Sequence, residues 1–169
     1  AVVRYGNVMG SRGSVIPLFM SVKDSGKLPI TDLKMTRFMI RIEQGVQLIW
    51  HVLDDMIGGE IYVKKIPSMK ITDIADAIAP DAKLEIIGIR SGEKLHEEMI
   101  TIEDAAYTYE YNDYYKILPS LFSWDEDPGR IGKGNKVGSD FYYSSENNVD
   151  WMSSKELKNW IKLNEKGLI

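Results

Sequence analysis

Three stretches of this chain carry residues that could do chemistry, and all three suit a phosphorylated ligand. The first is Tyr5-Gly6-Asn7-Val8-Met9-Gly10-Ser11-Arg12-Gly13-Ser14-Val15-Ile16-Pro17. Glycines let backbone approach a ligand closely, and N–H groups at the start of a following helix point at an anion. The same residues also suit an ordinary strand-to-helix loop. The second is Arg37, set among the apolar residues of Met35-Thr36-Arg37-Phe38-Met39-Ile40, where an unpaired charge is costly. A diphosphate would pair it, and so would a carboxylate in a structural salt bridge. The third is Arg90-Ser91-Gly92-Glu93-Lys94. Glycine permits a sharp turn there, Arg90 offers a planar fork of donors to phosphate oxygens, and Glu93 either accepts from a hydroxyl or holds Arg90.

The elements that must position these residues follow from pattern. Val2 to Tyr5 reads as a buried parallel strand ended by Gly6. Ser14 is placed to cap a helix whose stripe is Val15, Ile16, Phe19, Met20 and Val22, with Pro17 tolerated in its first turn and Gly26 ending it. Leu28 to Asp32 is extended. Ile42 to Met56 is the clearest helix, with Ile42, Val46, Ile49 and Leu53 at helical spacing, Trp50 and Met56 beside them, and Gly58-Gly59 after it. Glu60 to Val63 is a strand, Ile66 to Met69 a turn, and Thr72 the cap of a helix that Pro80 stops. Leu84 to Ile89 is a strand, and a helix from Leu95 to Ile100 is expected to add N-terminal donors to the third site. Tyr107 to Leu118 reads as an aromatic hairpin, a packing or partner surface, turning at Asn112-Asp113. Residues 123–138, acidic and then glycine-rich without periodicity, read as a mobile loop. Asp140 to Ser144 is extended, and Ser153 is placed to cap a last helix over Lys155 to Lys162 with Leu157, Trp160 and Ile161 inward. His51 and His96 read as packing residues, and Lys64-Lys65 as a solvated strand end.

Composition narrows the classes. The chain has 169 residues, 44% of them hydrophobic and 27% charged, enough for a real core. A net charge of −4 argues against a nucleic-acid footprint, which is usually basic. Zero cysteines excludes disulfides and thiolate metal sites and fits a reducing compartment, and two distant histidines disfavour a histidine metal site. No apolar run approaches the roughly 20 residues of a membrane span.

Taken together, these motifs resemble the extended short-chain dehydrogenase/reductase superfamily. Within it they are most similar to the inverting UDP-N-acetylglucosamine 4,6-dehydratases that begin pseudaminic acid synthesis. The likeness is carried by Tyr5-Gly6-Asn7-Val8, Gly10 to Pro17, Met35-Thr36-Arg37-Phe38, Gly59-Glu60-Ile61 and Lys65-Ile66-Pro67-Ser68-Met69-Lys70-Ile71-Thr72-Asp73. It continues in Ile87-Gly88-Ile89-Arg90-Ser91-Gly92-Glu93-Lys94-Leu95-His96-Glu97 and Phe141-Tyr142-Tyr143-Ser144-Ser145, so it runs from Val2 to about Trp151. Ser91 departs from the family's usual proline. The family's Gly-x-x-Gly-x-x-Gly turn is not found, and no tyrosine here has a lysine four residues on.

The resemblance implies an α/β fold: the last strands of a Rossmann sheet plus the smaller substrate-binding domain, with residues 1–169 as the C-terminal, substrate-binding half of a longer enzyme. It implies a lyase reaction on a UDP-sugar. NADP takes a hydride from C4, the C5 proton and the C6 hydroxyl are lost, and hydride returns to C6 with inversion at C5. No residue here is expected to be catalytic, because the proton-transfer groups belong to the other half. Val8, Met9, Gly10, Ser11 and Arg12 would line the cofactor. Asn7, Ser14, Val15, Ile16, Arg37, Ile89, Arg90, Ser91, Gly92 and Glu93 would hold the UDP-sugar. The implied partners are the N-terminal half and further copies in a homo-oligomer, and the implied compartment is the cytoplasm. Rival readings are a related capsule or lipopolysaccharide dehydratase or epimerase, a non-catalytic nucleotide-sugar binding module, and a structural interaction domain using the tyrosine hairpin. The expected outcome for this chain alone, incubated with NADP+ and UDP-N-acetylglucosamine, is no product; measurable turnover would show that the proton-transfer groups lie within it.

Overall fold

A computed structural model describes residues 1–121 and 128–164. In chain order its elements are β1 (Val2–Arg4), β2 (Asn7–Val8), α1 (Val15–Val22), a 3-10 turn (Lys23–Ser25), β3 (Lys27–Ile30), β4 (Thr36–Ile40) and α2 (Ile42–Asp55). Then come β5 (Ile61–Lys64), β6 (Ser68–Lys70), α3 (Ile71–Ile78), β7 (Lys83–Ile86), β8 (Glu98–Ile100), α4 (Ile102–Ala105), β9 (Thr108–Glu110) and β10 (Tyr114–Ile117). The last are α5 (Pro128–Ile131), β11 (Asn135–Lys136), β12 (Tyr143–Ser144) and α6 (Ser154–Asn164). The chain divides into two compact units.

Ala1–Tyr5, Ile42–Ile66 and Glu98–Ser144 make the first unit. Its sheet has the order β1-β5-β10-β9-β11, with β1 parallel to β5 and the other pairs antiparallel. The β-branched and aromatic residues of β5 and β10 suit the pleated interior, and Tyr62, Val63 and Ile117 are buried there. β1 is parallel, as its apolar run suggests. Among the described residues it is an edge strand paired with β5, however, and Val2 is 54% exposed instead of buried. The aromatic hairpin forms as expected, with Tyr115 opposite Glu110 and Tyr111 stacked on Tyr114 at 4.6 Å. Residues 123–127 of the expected loop lie outside the described residues. Its remainder carries α5 and β11, the latter paired with β9.

Helix α2 shows the largest departure. Its bounds match the sequence reading, but it buries Leu48 and Val52 against Tyr62, Val3 and Tyr114. The stripe of Ile42, Val46, Ile49, Trp50, Leu53 and Met56 is exposed. The helix has two apolar faces, and periodicity alone does not choose between them.

Buried charges in this unit are paired, as desolvation requires. Lys116 Nζ lies 2.6 Å from Asp55 Oδ2, and the Tyr62 hydroxyl donates to the same oxygen at 2.6 Å. Burial and that carboxylate push the Tyr62 hydroxyl well above its ordinary range. The buried Glu60 carboxylate accepts from the N–H groups of Ile57 and Gly58, and Arg130 Nη1 lies 3.1 Å away. Burial alone would raise the Glu60 carboxyl. The backbone donors and Arg130 outweigh it and hold the group below the usual carboxylate range.

Gly6–Arg41, Pro67–Glu97 and the segment from Ser145 onward make the second unit. Its core gathers Ile16 and Phe19 of α1, Leu28 and Ile30 of β3, Met39 of β4, Met69 of β6, Ile74 of α3 and Leu157 of α6. β2 pairs parallel with β4, β4 antiparallel with β6, and β3 parallel with β7. Gly26 ends the 3-10 turn at φ 71°. Helix α6 begins with a reciprocal cap: Ser153 Oγ accepts from the Glu156 N–H, and Glu156 Oε2 accepts from the Ser153 N–H.

Three local expectations fail here. Thr72 is not a cap, because α3 starts two residues earlier than that would require, at Ile71 with Lys70 in the cap position. The helix expected over Leu95–Ile100 does not form; that stretch is irregular and continues as β8. Its backbone is committed elsewhere. The Glu97 N–H donates to Ser145 Oγ at 2.9 Å, and the Glu97 carbonyl accepts from the Ser145 N–H at 2.7 Å. Ser14 holds the cap position of α1 but makes no cap hydrogen bond. A capping side chain accepts from the second or third helical N–H, and the third residue here is Pro17, which has none.

The lowered Glu60 carboxyl links stability to pH. A carboxyl depressed in the folded state contributes stability above its unfolded pKa and loses it as pH falls through the folded value. Thermal unfolding followed on acidification from neutral pH to below about 4 is therefore expected to show a falling midpoint. Glu60→Gln is expected to cost about 2 kcal/mol at neutral pH and to flatten that acid slope; an unchanged slope would show that the Glu60 carboxylate contributes nothing to it.

Candidate functional site

The second unit brings most of the chemistry-bearing residues together, starting from a very close backbone approach. A Cβ on Gly6 would sit 2.4 Å from Phe38 Cβ and 2.8 Å from the Phe38 carbonyl oxygen. Only glycine lets the chain pass β4 at that distance, and the next residue, Asn7, then pairs opposite Met39. The loop that follows turns at Gly10 and Gly13, both with positive φ, and is closed by backbone bonds from Ser11 to Val8 and from Ser14 to Ser11.

A carboxylate that the sequence reading did not single out holds this corner. Glu97 Oε1 accepts from Asn7 Nδ2 at 2.9 Å and lies 3.8 Å from Arg37 Nε, while its Oε2 accepts from the Phe38 N–H at 2.9 Å. Glu97 is fixed by Ser145, whose buried hydroxyl also meets Thr36 Oγ1 at 2.7 Å. Thr36 Oγ1 in turn lies 2.8 Å from His96 Nδ1.

Arg37 is paired by protein groups. Its Nη1 donates to the carbonyls of Thr36 and Leu95 at 2.8 and 3.1 Å, and its Nη2 is 3.5 Å from Glu93 Oε1. One cation among the two carboxylates of Glu93 and Glu97 leaves a net negative trio, so Arg37 ties the site together more than it offers charge to a ligand. Glu93 also accepts from Thr31 Oγ1 and, with Oε2, from the Arg90 backbone N–H at 3.3 Å. It therefore holds the Arg90 turn by its backbone, around Gly92 at φ 81°. Among the described residues no carboxylate pairs with the exposed Arg90 guanidinium.

A cavity of about 250 Å3 opens among these groups. Phe19, Met35, Met39 and Ile71 give it an apolar wall, and Asn7, Arg37, Arg90 and Glu93 a polar one. Ser14 and Val15 line it as well. Ser14 Oγ is buried with no hydrogen-bond partner, the one such side-chain atom among the described residues. A buried hydroxyl left unpaired by the protein is a position for a ligand to satisfy.

Other candidates fall elsewhere. Met9 and Ile16 are buried in the core, so their side chains are unavailable. Val8, Gly10, Ser11, Arg12, Ile89, Ser91 and Gly92 are not in the cavity lining. A larger concavity of about 730 Å3 in the first unit is lined by His51, Lys64, Lys65, Tyr114 and Lys133, and gathers none of the candidate residues. The smaller cavity is below the roughly 300–1,000 Å3 of sites that enclose a drug-sized ligand, so these residues do not themselves enclose a dinucleotide. Among the described residues no group of His, Asp and Glu side chains is placed to hold a metal ion, and no helix is long and apolar enough to cross a membrane.

Mixed parallel and antiparallel sheets with covering helices define an α/β chain, as the sequence suggests, whose second unit carries a small polar-and-apolar cavity. The chain belongs to the polysaccharide biosynthesis protein family, whose model matches residues 1–119. It is 53% identical over 163 residues to a UDP-N-acetylglucosamine 4,6-dehydratase (inverting) of Campylobacter jejuni subsp. jejuni serotype O:2, covering 92% of this chain and 49% of that protein. It is 40% identical over 121 residues to a UDP-glucose 4-epimerase of Rickettsia canadensis, covering 69% of this chain and 36% of that one. The crystal structure of Pen from Bacillus thuringiensis is similar with a TM-score of 0.79 at 34% identity, over 99% of this chain and 50% of that one. The chain spans about half the length of the dehydratases it matches. The expected fold class, part of an extended short-chain dehydrogenase/reductase, is borne out.

The approach at Gly6 makes a sharp expectation. Gly6→Ala forces β4 backbone to move and is expected to cost about 1–3 kcal/mol, read as a lowered denaturant midpoint. Unchanged stability would mean that the β2–β4 contact is loose.

Proposed function

We propose that the cavity of the second unit forms part of the site for the nucleotide of a UDP-sugar. In this reading the chain is the substrate-binding half of a UDP-N-acetylglucosamine 4,6-dehydratase that inverts C5. The observation that carries it is the convergence of an unpaired cation, Arg90, and an unsatisfied buried hydroxyl, Ser14, on one cavity. The 53% identity to an enzyme of that name supports it. The apolar wall of Phe19, Met35 and Met39 takes the flat base, and Ser14 meets its polar edge. Arg90 neutralises diphosphate oxygens with its planar fork. Glu93 holds the turn that presents Arg90 and is within reach of a ribose hydroxyl. Arg37 braces both carboxylates. Binding the nucleotide far from the reacting carbons helps hold the sugar in place for chemistry.

The reading carries NADP as cofactor, with Ser11 and Arg12 as the exposed part of this chain's edge toward it. The proton-transfer groups and the dinucleotide fold lie on polypeptide beyond this chain. The product would be a UDP-linked 4-keto-6-deoxy-L-arabino-hexosamine, destined for pseudaminic acid and surface-glycan or flagellin glycosylation in the cytoplasm, by a homo-oligomer. A second reading, a UDP-sugar epimerase, is favoured by the similarity to the Rickettsia epimerase and uses the same nucleotide contacts.

Titration calorimetry with UDP and UDP-N-acetylglucosamine tests the nucleotide site directly. Both are expected to bind, and Arg90→Ala is expected to weaken both about tenfold, the loss of one charge-assisted contact. No binding of UDP to the folded chain, or an unchanged affinity in Arg90→Ala, would defeat the assignment.

A further inference from the structure

We propose that Glu97 is a positioning residue that orients the Asn7 side chain so that its carbonyl oxygen, and not the amide end held by Glu97, is offered to the ligand. The proposal rests on the reading of the cavity as a UDP-sugar site and adds which partner chemistry Asn7 accepts. An ionised carboxylate can only accept hydrogen bonds, so the Asn7 group facing Glu97 Oε1 at 2.9 Å must be the NH2 end. The two ends of an amide diverge, and Asn7 Oδ1 therefore turns away from Glu97. Asn7 lines the cavity and Glu97 does not, which leaves Oδ1 as the end available there. The ligand group it meets is a hydrogen-bond donor of the hexose, which UDP lacks: a ring hydroxyl or the N-acetyl N–H.

Glu97 is itself held too firmly to follow Asn7. Its second oxygen is taken by the Phe38 N–H at 2.9 Å, and its backbone is locked at both ends by Ser145. Arg37 Nε lies 3.8 Å from the oxygen that Asn7 uses. The carboxylate thus spans β2 and β4 and has both oxygens committed before any ligand arrives. Asn7, the exposed residue of the pair, is the one whose free end remains to be satisfied.

The test exchanges the two functional groups. Asn7→Asp alone sets two carboxylates against each other and is expected to weaken UDP-N-acetylglucosamine binding more than tenfold, while UDP changes less than about twofold. Combining Asn7→Asp with Glu97→Gln reverses the bond. The new amide donates to the new carboxylate, keeps an oxygen for the Phe38 N–H, and still leaves an acceptor toward the ligand. Binding of the sugar nucleotide is expected to return to within about threefold of wild type. Glu97→Gln alone keeps an oxygen for the Phe38 N–H and can donate to Asn7 only if that amide turns over and presents its NH2 to the ligand, so sugar-nucleotide binding is expected to fall between. Thermal midpoints of all variants separate loss of fold from loss of orientation.

If the exchange fails to rescue binding in a folded double variant, or if UDP weakens as much as the sugar nucleotide, Glu97 is merely structural and the proposal falls. Side-chain amide hydrogen exchange at Asn7 supplies a readout without ligand: slow in wild type and fast in Glu97→Ala. Fast exchange in wild type overturns the contact. Slow exchange in a wild type that binds neither nucleotide sinks the UDP reading, and with it the ligand role of Asn7, while leaving the Glu97–Asn7 contact established.

Discussion

β2 is two residues long, and two residues of ladder do not hold a loop in place. What fixes this one is the carboxylate of Glu97, which takes hydrogen bonds from Asn7 on β2 and from the backbone of Phe38 on β4. Gly6 completes the arrangement by letting the two stretches of backbone touch. The loop with Gly10 and Gly13, the start of α1, and the cavity wall formed by Ser14 and Val15 all follow in sequence from that corner. Were it to loosen, the residues that read as a binding loop would keep their local turns but lose their address.

Charge in this chain divides into groups that hold structure and groups that remain available. Lys116 with Asp55, Arg130 with Glu60, and Arg37 with Glu93 and Glu97 belong to the first kind. Each is partly or wholly withdrawn from water, and each would be costly if either partner were removed. Arg90 belongs to the second, exposed on a turn whose shape is set by Gly92 and by the grip of Glu93 on its backbone. Among the described residues no carboxylate would have to be displaced for an anion to reach Arg90.

The readable parts of the sequence were those governed by local rules. The stripe of α1, the tyrosine hairpin and the Ser153–Glu156 cap of α6 came directly from periodicity, β-propensity and capping chemistry. Family likeness grouped Ser14, Arg90 and Glu93, and the three line one cavity. The failures share a physical cause, competition from contacts distant in sequence. Leu95 to Ile100 looked helical until Ser145, nearly fifty residues on, took the Glu97 backbone. Ser14 has the right type for a cap, but Pro17 removes the hydrogen it would accept. Arg37 was open between a phosphate and a carboxylate, and only the fold supplies Glu93 and Glu97 at its side. Helix α2 had two apolar faces, and the choice between them was made by Tyr62 on a strand that the helix reading did not include.

The alternation of the two units along the chain sets the order of events during synthesis. The first unit takes its residues from Ala1–Tyr5, Ile42–Ile66 and Glu98–Ser144, and the second fills the gaps and adds α6. β1 is made before β5 and must wait for it, and β5 is not flanked on its other side until β10 has appeared. The core of the second unit remains open until Leu157 arrives from the last described helix. Such long-range closure slows folding and keeps apolar surface in water while the chain grows. A ribosome stalled between Ile66 and Ser144 therefore holds two unfinished cores at once, each waiting for residues not yet made.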